Sequence, residues 1–511
     1  MNGRQILSYL FAFGIFITSM VASPLVADNY TPAKWAAVYT LAALCGITLF
    51  FGQIPAISLP KNIRLSVGLL ITTQLIAMVF NPSPIYASIF LDWFAFAILS
   101  IASYTCLQNQ RMADVVALAM VFSGICVATY GFLQLFGFEP FPQLTHSPIP
   151  SATFGFQNMT AEMIGLTLIF AIYLTSKSPT SKFLWLAVIF FAAYLFILSC
   201  RACILALLIS AIVWLFFHER KTMFSHFLKL ALTLAMAFAL AQGLTRLIEN
   251  NAIEQFIGIT SSASYIAEAK ELAKFKAINA NTRLIRWANT LWMIKENFFG
   301  VGPGRFEFGY IPYDHRYALD PESTKAMVVK SPHNGFLGFA AESGVLALCT
   351  LLALLVFLVV HIYRARLGLA AALLTFFLVD GFFAFPMDNA FPFLIAAFLA
   401  GHLLQSFEPI GEQISRGWLW ILGYMTLFVV YMGTYFIHSK MLEFHRRPTA
   451  SALHDACRHD PRNWRLCLRA ADRDVIEGRL ERAESTLCFI QSCYPNHFPA
   501  AERLRSLVVR R

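Results

Sequence analysis

The chain is expected to be an all-α, polytopic membrane protein with a large outer loop and a small helical tail. Three observations predict it. Thirteen apolar runs, each near the ~20 residues a bilayer requires, are spread along the chain. Hydrophobic residues make up 58% of 511 and charged ones 13%, with a mean hydropathy of +0.62, more apolar surface than a soluble domain can hide. Lysine and arginine also collect on alternate connections, so the net charge of +10 has a topological explanation before a nucleic-acid one.

In order, the runs lie at about 5–23, 35–52, 65–80, 85–106, 115–137, 159–176, 183–200, 202–217, 224–244, 344–362, 367–385, 391–407 and 417–437. The first follows Arg4 and resembles a signal peptide, but the second comes so soon that an anchor is the simpler reading. The weakest division is at Cys200–Ala202, where one long run must fold into two helices about Arg201. With the N-terminus inside, the inner segments hold eleven cations from Arg4 to Arg416, and the short outer connections hold only Lys34 and Arg201. This parity predicts four regions: membrane helices in 1–244, an outer loop in 245–343, further membrane helices in 344–437 and an outer helical tail in 438–511.

Cysteine usage follows the same division. Six cysteines fall in apolar runs as packing residues, whereas Cys457, Cys467, Cys488 and Cys493 share the tail, where disulfides are expected on the outer side. In the tail, Asp460-Pro461 is expected to open a helix, Gly478 to separate it from the next and Pro495 to close that one. Trp464, Ala471, Gly478, Ala483, Leu487 and Pro495 roughly follow a tetratricopeptide pattern. One such hairpin cannot bury a core alone, so it must pack on flanking helices or on the membrane domain.

Chemistry is expected in Thr282–Gly344, which begins TRLIRWANTLWMIKENFFGVGPGRF and closes KSPHNGFLGFAAESG. Ser331 is placed to cap a helix with Pro332 at its first position, which puts His333 in the first turn, where the dipole disfavours a protonated imidazole. A neutral His333 beside free N–H groups suits a base next to an anion; a cap or interfacial residue is the alternative. Arg283 and Arg286, three apart on one helix face, suit phosphate or, equally simply, lipid headgroups. The glycine-rich GVGPG at 300–304 follows no strand and reads as a turn.

Other polar positions read two ways. Lys–Glu interleaving at Ser264–Ile278 suits an amphipathic surface helix or a gate over a lipid entrance. Asp92, Glu162, Arg201 and Asp380 lie in apolar runs, where ionisable groups line cavities or serve as structural partners. Arg201 is expected at the depth of His333, to contact the same anion or to snorkel to the interface. Gln157 and Asn158 start a run, where the amides either bind sugar hydroxyls or cap the helix.

Four pieces in order, FGFQNMTAEM around Asn158, SCRACILAL around Arg201, RLIRWANTLWMIKENFFGVGPGRF around Arg286 and SPHNGFLGFAAESG around His333, resemble the bacterial O-antigen ligase and O-antigen polymerase superfamily, which includes the pilin-type O-oligosaccharyltransferases. The resemblance covers roughly residues 150–400. It implies transfer of a glycan from undecaprenyl pyrophosphate to an acceptor hydroxyl, either of the lipid A core or of a protein, at the periplasmic face of a bacterial inner membrane. No metal, cofactor or nucleic acid is implied. Carried over by position, Arg201 and Arg286 hold the pyrophosphate and His333 helps activate the acceptor, while Arg283, Asn158 and Asn334 are expected to bind substrate. A polymerase is the alternative within the family. A small-anion transporter lined by Asp92, Glu162, Arg201 and Asp380 is the alternative outside it, disfavoured because no internal repeat is evident and the polar cluster is extramembrane.

Overall fold

A computed structural model describes residues 3–25, 28–52, 60–138, 150–217, 220–249, 283–314, 329–407, 416–444 and 448–510. The expected amphipathic segment Ser264–Ile278 lies outside the described residues. Within them the chain is helical and contains no strand.

Each of the thirteen apolar runs forms a helix. The first nine are α1 (Gly3–Met20), α2 (Thr31–Phe51), α3 (Lys61–Phe80), α4 (Tyr86–Leu107), α5 (Gln110–Leu135), α6 (Gln157–Lys177), α7 (Lys182–Leu198), α8 (Arg201–Phe216) and α9 (Arg220–Glu249). After α10 (residues 283–296), α11 (Phe306–Gly309) and α12 (Gly335–Ser343) come the last four, α13 (Val345–Arg364), α14 (Gly368–Phe383), α15 (Ala390–Gln405) and α16 (Arg416–Phe444). Among the described residues, eight helices are long and apolar enough to cross a bilayer, and α7, α8, α14 and α15 are shorter apolar helices. The protein is an all-α polytopic membrane protein.

The uncertain division resolves into two helices. Ser199 takes a left-handed backbone (φ 53°), ending α7 at Leu198, and α8 begins at Arg201. Contacts between connections obey the alternation that thirteen crossings require. At one end Asn81 Nδ2 donates to the Gly300 carbonyl (2.9 Å) and Ser83 Oγ to that of Cys493 (3.5 Å). At the other, Lys177 pairs with Asp114 (2.6 Å) and Gln405 Nε2 donates to the Leu107 carbonyl (2.6 Å). Lys34 sits at the first of these ends, buried, with Nζ donating to the carbonyls of Thr18, Ser19 and Val21 that close α1.

Helix α6 lies at the centre, 83% of its apolar window buried, while α3 and α13 sit at the periphery with 22% and 11%. Apolar side chains there have no protein to cover them and suit lipid. Between helices, backbones approach closely where a residue is small. A methyl group on Gly401 of α15 would stand 2.5 Å from Ser103 Cβ of α4, whose hydroxyl donates to the Phe398 carbonyl (3.1 Å).

The tail adds α17 (Ala450–His459), α18 (Trp464–Ile476), α19 (Leu480–Cys493) and α20 (Phe498–Arg510). Ala471, Ala483 and Leu487 of the expected pattern are fully buried, Gly478 takes the left-handed backbone between α18 and α19, and α17 and α20 flank that hairpin. Two local expectations are corrected. Asp460-Pro461 does not open α18, because Asn463 caps it by accepting from the Leu466 N–H. Of the four tail cysteines only Cys457 and Cys467 are bridged, while Cys488 and Cys493 remain thiols.

The tail docks on the membrane domain. Phe308 of α11 packs against Trp464, Tyr494 and His497. Arg462 pairs with Asp92 of α4 (2.8 Å), whose other oxygen accepts from Tyr39 (2.6 Å). Asp92 is therefore a structural partner of a hydroxyl and an arginine.

Candidate active site

Two distant segments are clamped together to build the site. The glycine-rich turn after α10 docks on the end of α12. Val301 N–H donates to the Ala341 carbonyl, Gly302 N–H to that of Glu342 (2.9 Å each), and Val345 N–H to that of Phe298 (3.0 Å). The Glu342 carboxylate accepts from Phe306 N–H (3.0 Å). Burial pushes that carboxyl above its ordinary range, and hydrogen bonds from the Gly304 and Phe306 backbones pull it back. Gly300, at φ +81°, lies so close that a methyl group would stand 2.2 Å from the Glu342 carbonyl oxygen.

A second tie brings α10 to the SPHN segment. Trp287 Nε1 donates to the Pro332 carbonyl (3.0 Å), and its ring meets Phe382 edge-on (5.6 Å). Arg283 and Arg286 are on the same helix, within a turn of Trp287. Both act electrostatically on His333, whose imidazole is lowered to about 4, by burial first and then by Arg283 and Arg286. The ring rests against Phe385 (5.5 Å) and is half-buried.

The local geometry corrects the expected cap. Helix α12 starts at Gly335, and Asn334 is its N-cap, Oδ1 accepting from the Leu337 N–H (3.0 Å). Ser331 does not cap; its Oγ accepts from the His333 N–H (3.4 Å) within a turn. His333 therefore lies outside the first turn, on a left-handed backbone (φ 54°), and its neutrality comes from burial and the arginines. Asn334, expected to bind substrate, spends Oδ1 on the cap.

The start of α8, where Arg201 stands, is tied to the end of α14. Arg201 begins α8, exposed, and Cys203 two residues on donates Sγ to Asp380 Oδ1 (3.4 Å) near the end of α14. There Gly381 meets α12: a methyl group on Gly335 would stand 3.3 Å from the Gly381 carbonyl. The start of α6 joins the same group, since Glu162 accepts from Asn389 Nδ2 (2.6 Å), four residues after Phe385. Asn158 is exposed in the first turn of α6 and is not its cap, which is Phe156. Beside it, Gln157 Oε1 is buried with no hydrogen-bond partner among the described residues, an acceptor suited to a hydroxyl.

The arrangement thus gathers cations and a neutral imidazole at one end of the bundle. Asn389, Glu342 and the Trp287 tie escaped sequence reasoning. A glutamate in the last turn before Ser343-Gly344 was the signal for Glu342, because the glycine that ends the helix lets a facing turn bring its backbone N–H groups within reach of that carboxylate.

Residues 186–352 match the family model described as O-antigen ligase. This stretch of the chain is similar to the O-antigen ligase family. The matched stretch runs from α7 into α13 and contains Arg201, Arg283, Arg286, His333 and Asn334, while Asn158 precedes it. Its presence supports membrane glycosyl transfer of the O-antigen ligase or polymerase type. No curated protein matches the chain.

Proposed function

We propose that this protein transfers a glycan from undecaprenyl pyrophosphate to an acceptor hydroxyl at the periplasmic face of a bacterial inner membrane, as an O-antigen ligase acting on lipid A core or as a protein O-oligosaccharyltransferase. The observation that carries the reading is the uncharged His333 beside Arg283 and Arg286, held there by the Trp287 hydrogen bond to Pro332. Arg286, Arg283 and Arg201 supply fixed positive charge for the pyrophosphate, where bond cleavage leaves the anionic charge. His333 takes the proton of the acceptor hydroxyl as its oxygen attacks the anomeric carbon, and the carbon–oxygen bond to the pyrophosphate breaks. Asn158 and Gln157 face sugar hydroxyls in this reading.

The arginines both lower and release the base. Burial first, and then the two arginines, hold the imidazole at about 4, too weak for efficient proton abstraction. A bound pyrophosphate offsets their charge and raises the basicity of His333, so the base is activated when the donor is present.

The engagement of Asp92 with Tyr39 and Arg462 counts against a transport path through that residue. The deciding experiment reads lipopolysaccharide and envelope-protein glycans in parallel in cells lacking the gene. Loss of the polysaccharide ladder with intact core, restored by the wild type but not by His333→Ala, is expected for a ligase. Loss of protein glycan alone assigns an oligosaccharyltransferase. A fully active His333→Ala variant at normal protein level removes the catalytic role.

A further inference from the structure

Two of the cysteines expected to pack in apolar runs form a pair at the start of α8. Cys200 is the N-cap of that helix and Cys203 lies in its first turn, with Arg201 and Ala202 between them. Cys200 Sγ donates to Cys203 Sγ (3.3 Å), and Cys203 Sγ donates on to Asp380 Oδ1 (3.4 Å). The two sulfurs are therefore already in contact, at a helix start whose unpaired N–H groups favour a thiolate. Two cysteines separated by two residues in that setting have the chemistry of a redox pair. Asp380 adds an independent sign. It is fully buried, and its Oδ2 has no hydrogen-bond partner among the described residues. A spare acceptor thus lies against the dithiol, placed to take the proton of Cys203. Exposure separates the roles of the sulfurs: Cys200 keeps 7% and Cys203 1%, so an incoming reagent meets Cys200 first.

We propose that Cys200 and Cys203 are a redox modification site, closed to a disulfide by exchange with an incoming disulfide, and that closure slows glycan transfer through Asp380. The Cys200 thiolate attacks one sulfur of the incoming disulfide, whose S–S bond breaks and releases one thiolate. Cys203 then gives its proton to Asp380 and attacks the Cys200 sulfur of the mixed disulfide, releasing the second thiolate. Both cysteine protons end on the leaving thiolates, so two cysteines lose two electrons and one disulfide becomes two thiols. Closure removes the S–H group that donates to Asp380. That carboxylate directly precedes Gly381, whose carbonyl faces Gly335 at the start of α12, two residues after His333. Closure also constrains the turn that carries Arg201. Asp380 is thus a positioning residue. The effect on transfer rests on the glycan-transfer reading above, whereas the disulfide itself does not.

The test uses the purified full-length protein, equilibrated with mixtures of reduced and oxidised glutathione, quenched in acid, alkylated and read by peptide mass spectrometry. A reversible Cys200–Cys203 disulfide is expected, and glutathione on the exposed Cys488 reports that the oxidant is active. Modified Cys488 without that disulfide overturns the proposal. On closure, transfer is expected to fall about tenfold, the size of losing one hydrogen bond to a carboxylate, and dithiothreitol should restore it. Cys200→Ser cannot close and keeps the Cys203 donor, so it should transfer as the reduced wild type does and ignore glutathione. In reducing buffer Cys203→Ala should be about tenfold slow, and Cys203→Ser, which keeps a donor for Asp380, close to wild type. Wild-type transfer that closure leaves unmoved overturns the inference, as does a fall that Cys200→Ser shares. Hydrogen exchange over α12 is read on the same wild-type samples and should rise on closure. If no form transfers glycan, the transfer reading fails by itself, and exchange decides the rest: a rise keeps the link from the dithiol to α12, and unchanged exchange removes it.

Discussion

His333 differs from an ordinary histidine in two ways that the geometry explains together. Its backbone is left-handed, which turns the residue out of the helix that follows, and its ring is half-buried between Phe385 and the cations of α10. Burial and two positive neighbours both disfavour the imidazolium, so the ring stays neutral from alkaline pH down to about 4. A base that must be neutral loses activity as pH falls through its pKa. The acid limb of kcat/KM, which reports the free enzyme, is therefore expected near pH 4 and that of kcat, which reports the donor complex, at higher pH. Arg283→Gln removes one of the two charges that depress the ring, so it should move the kcat/KM limb upward. A pH–rate series on purified enzyme checks both; an unmoved limb in the Arg283 variant would sink the electrostatic account.

At the scale of elements, the site depends on a clamp between two turns. Gly300 and Gly344 both have positive φ and lie where any side chain would strike the facing backbone. The clamp carries three backbone hydrogen bonds and the Glu342 carboxylate bond, and it sets where α12 ends relative to α10. Gly300→Ala is expected to destabilise the protein by about 2 kcal/mol or more, from left-handed strain plus the clash with Glu342, and to reduce transfer by shifting α12. Gly68→Ala on α3, where a methyl group meets nothing within 4 Å, should be close to neutral. Thermal unfolding of the two purified variants tests the comparison, and equal melting temperatures would contradict it.

At the scale of the whole molecule, the tail is held against the membrane domain. Arg462 bridges α18's leading turn to Asp92 in α4, and Phe308 inserts among Trp464, Tyr494 and His497. The ion pair is about a quarter exposed on each side, between the surface and buried regimes, so Arg462→Ala should cost about 1–3 kcal/mol of docking. Asp92 keeps its hydrogen bond from Tyr39 in that variant. Hydrogen exchange is expected to rise across residues 448–510 while α6 stays protected. Unchanged exchange in the tail would mean that the aromatic contacts alone hold it.

Much of this organisation was legible in the sequence for a single physical reason. In a bilayer every backbone polar group needs an internal partner, so each apolar run of sufficient length becomes a helix, and the cation bias then orders the connections. A division about Arg201, expected at Cys200–Ala202 and found at Ser199–Cys200, the placing of Arg283 and Arg286 on one face, the turn at Gly300–Gly304 and the buried Ala471, Ala483 and Leu487 of the tail hairpin followed from local pattern. Tertiary structure decided what local pattern leaves open. Ser331 and Asn334 are both good caps by type, and the choice fell to Asn334 because the Trp287 bond to Pro332 and the packing of Gly335 on Gly381 place the helix start after His333. Glu342 found its partners some forty residues earlier, Asp92 found Arg462 in the tail, and Cys457 bonded Cys467 while Cys488 and Cys493 stayed thiols. These pairings join residues far apart along the chain or on different helices, and such contacts leave no periodicity for a sequence to carry; they exist only once the helices have packed.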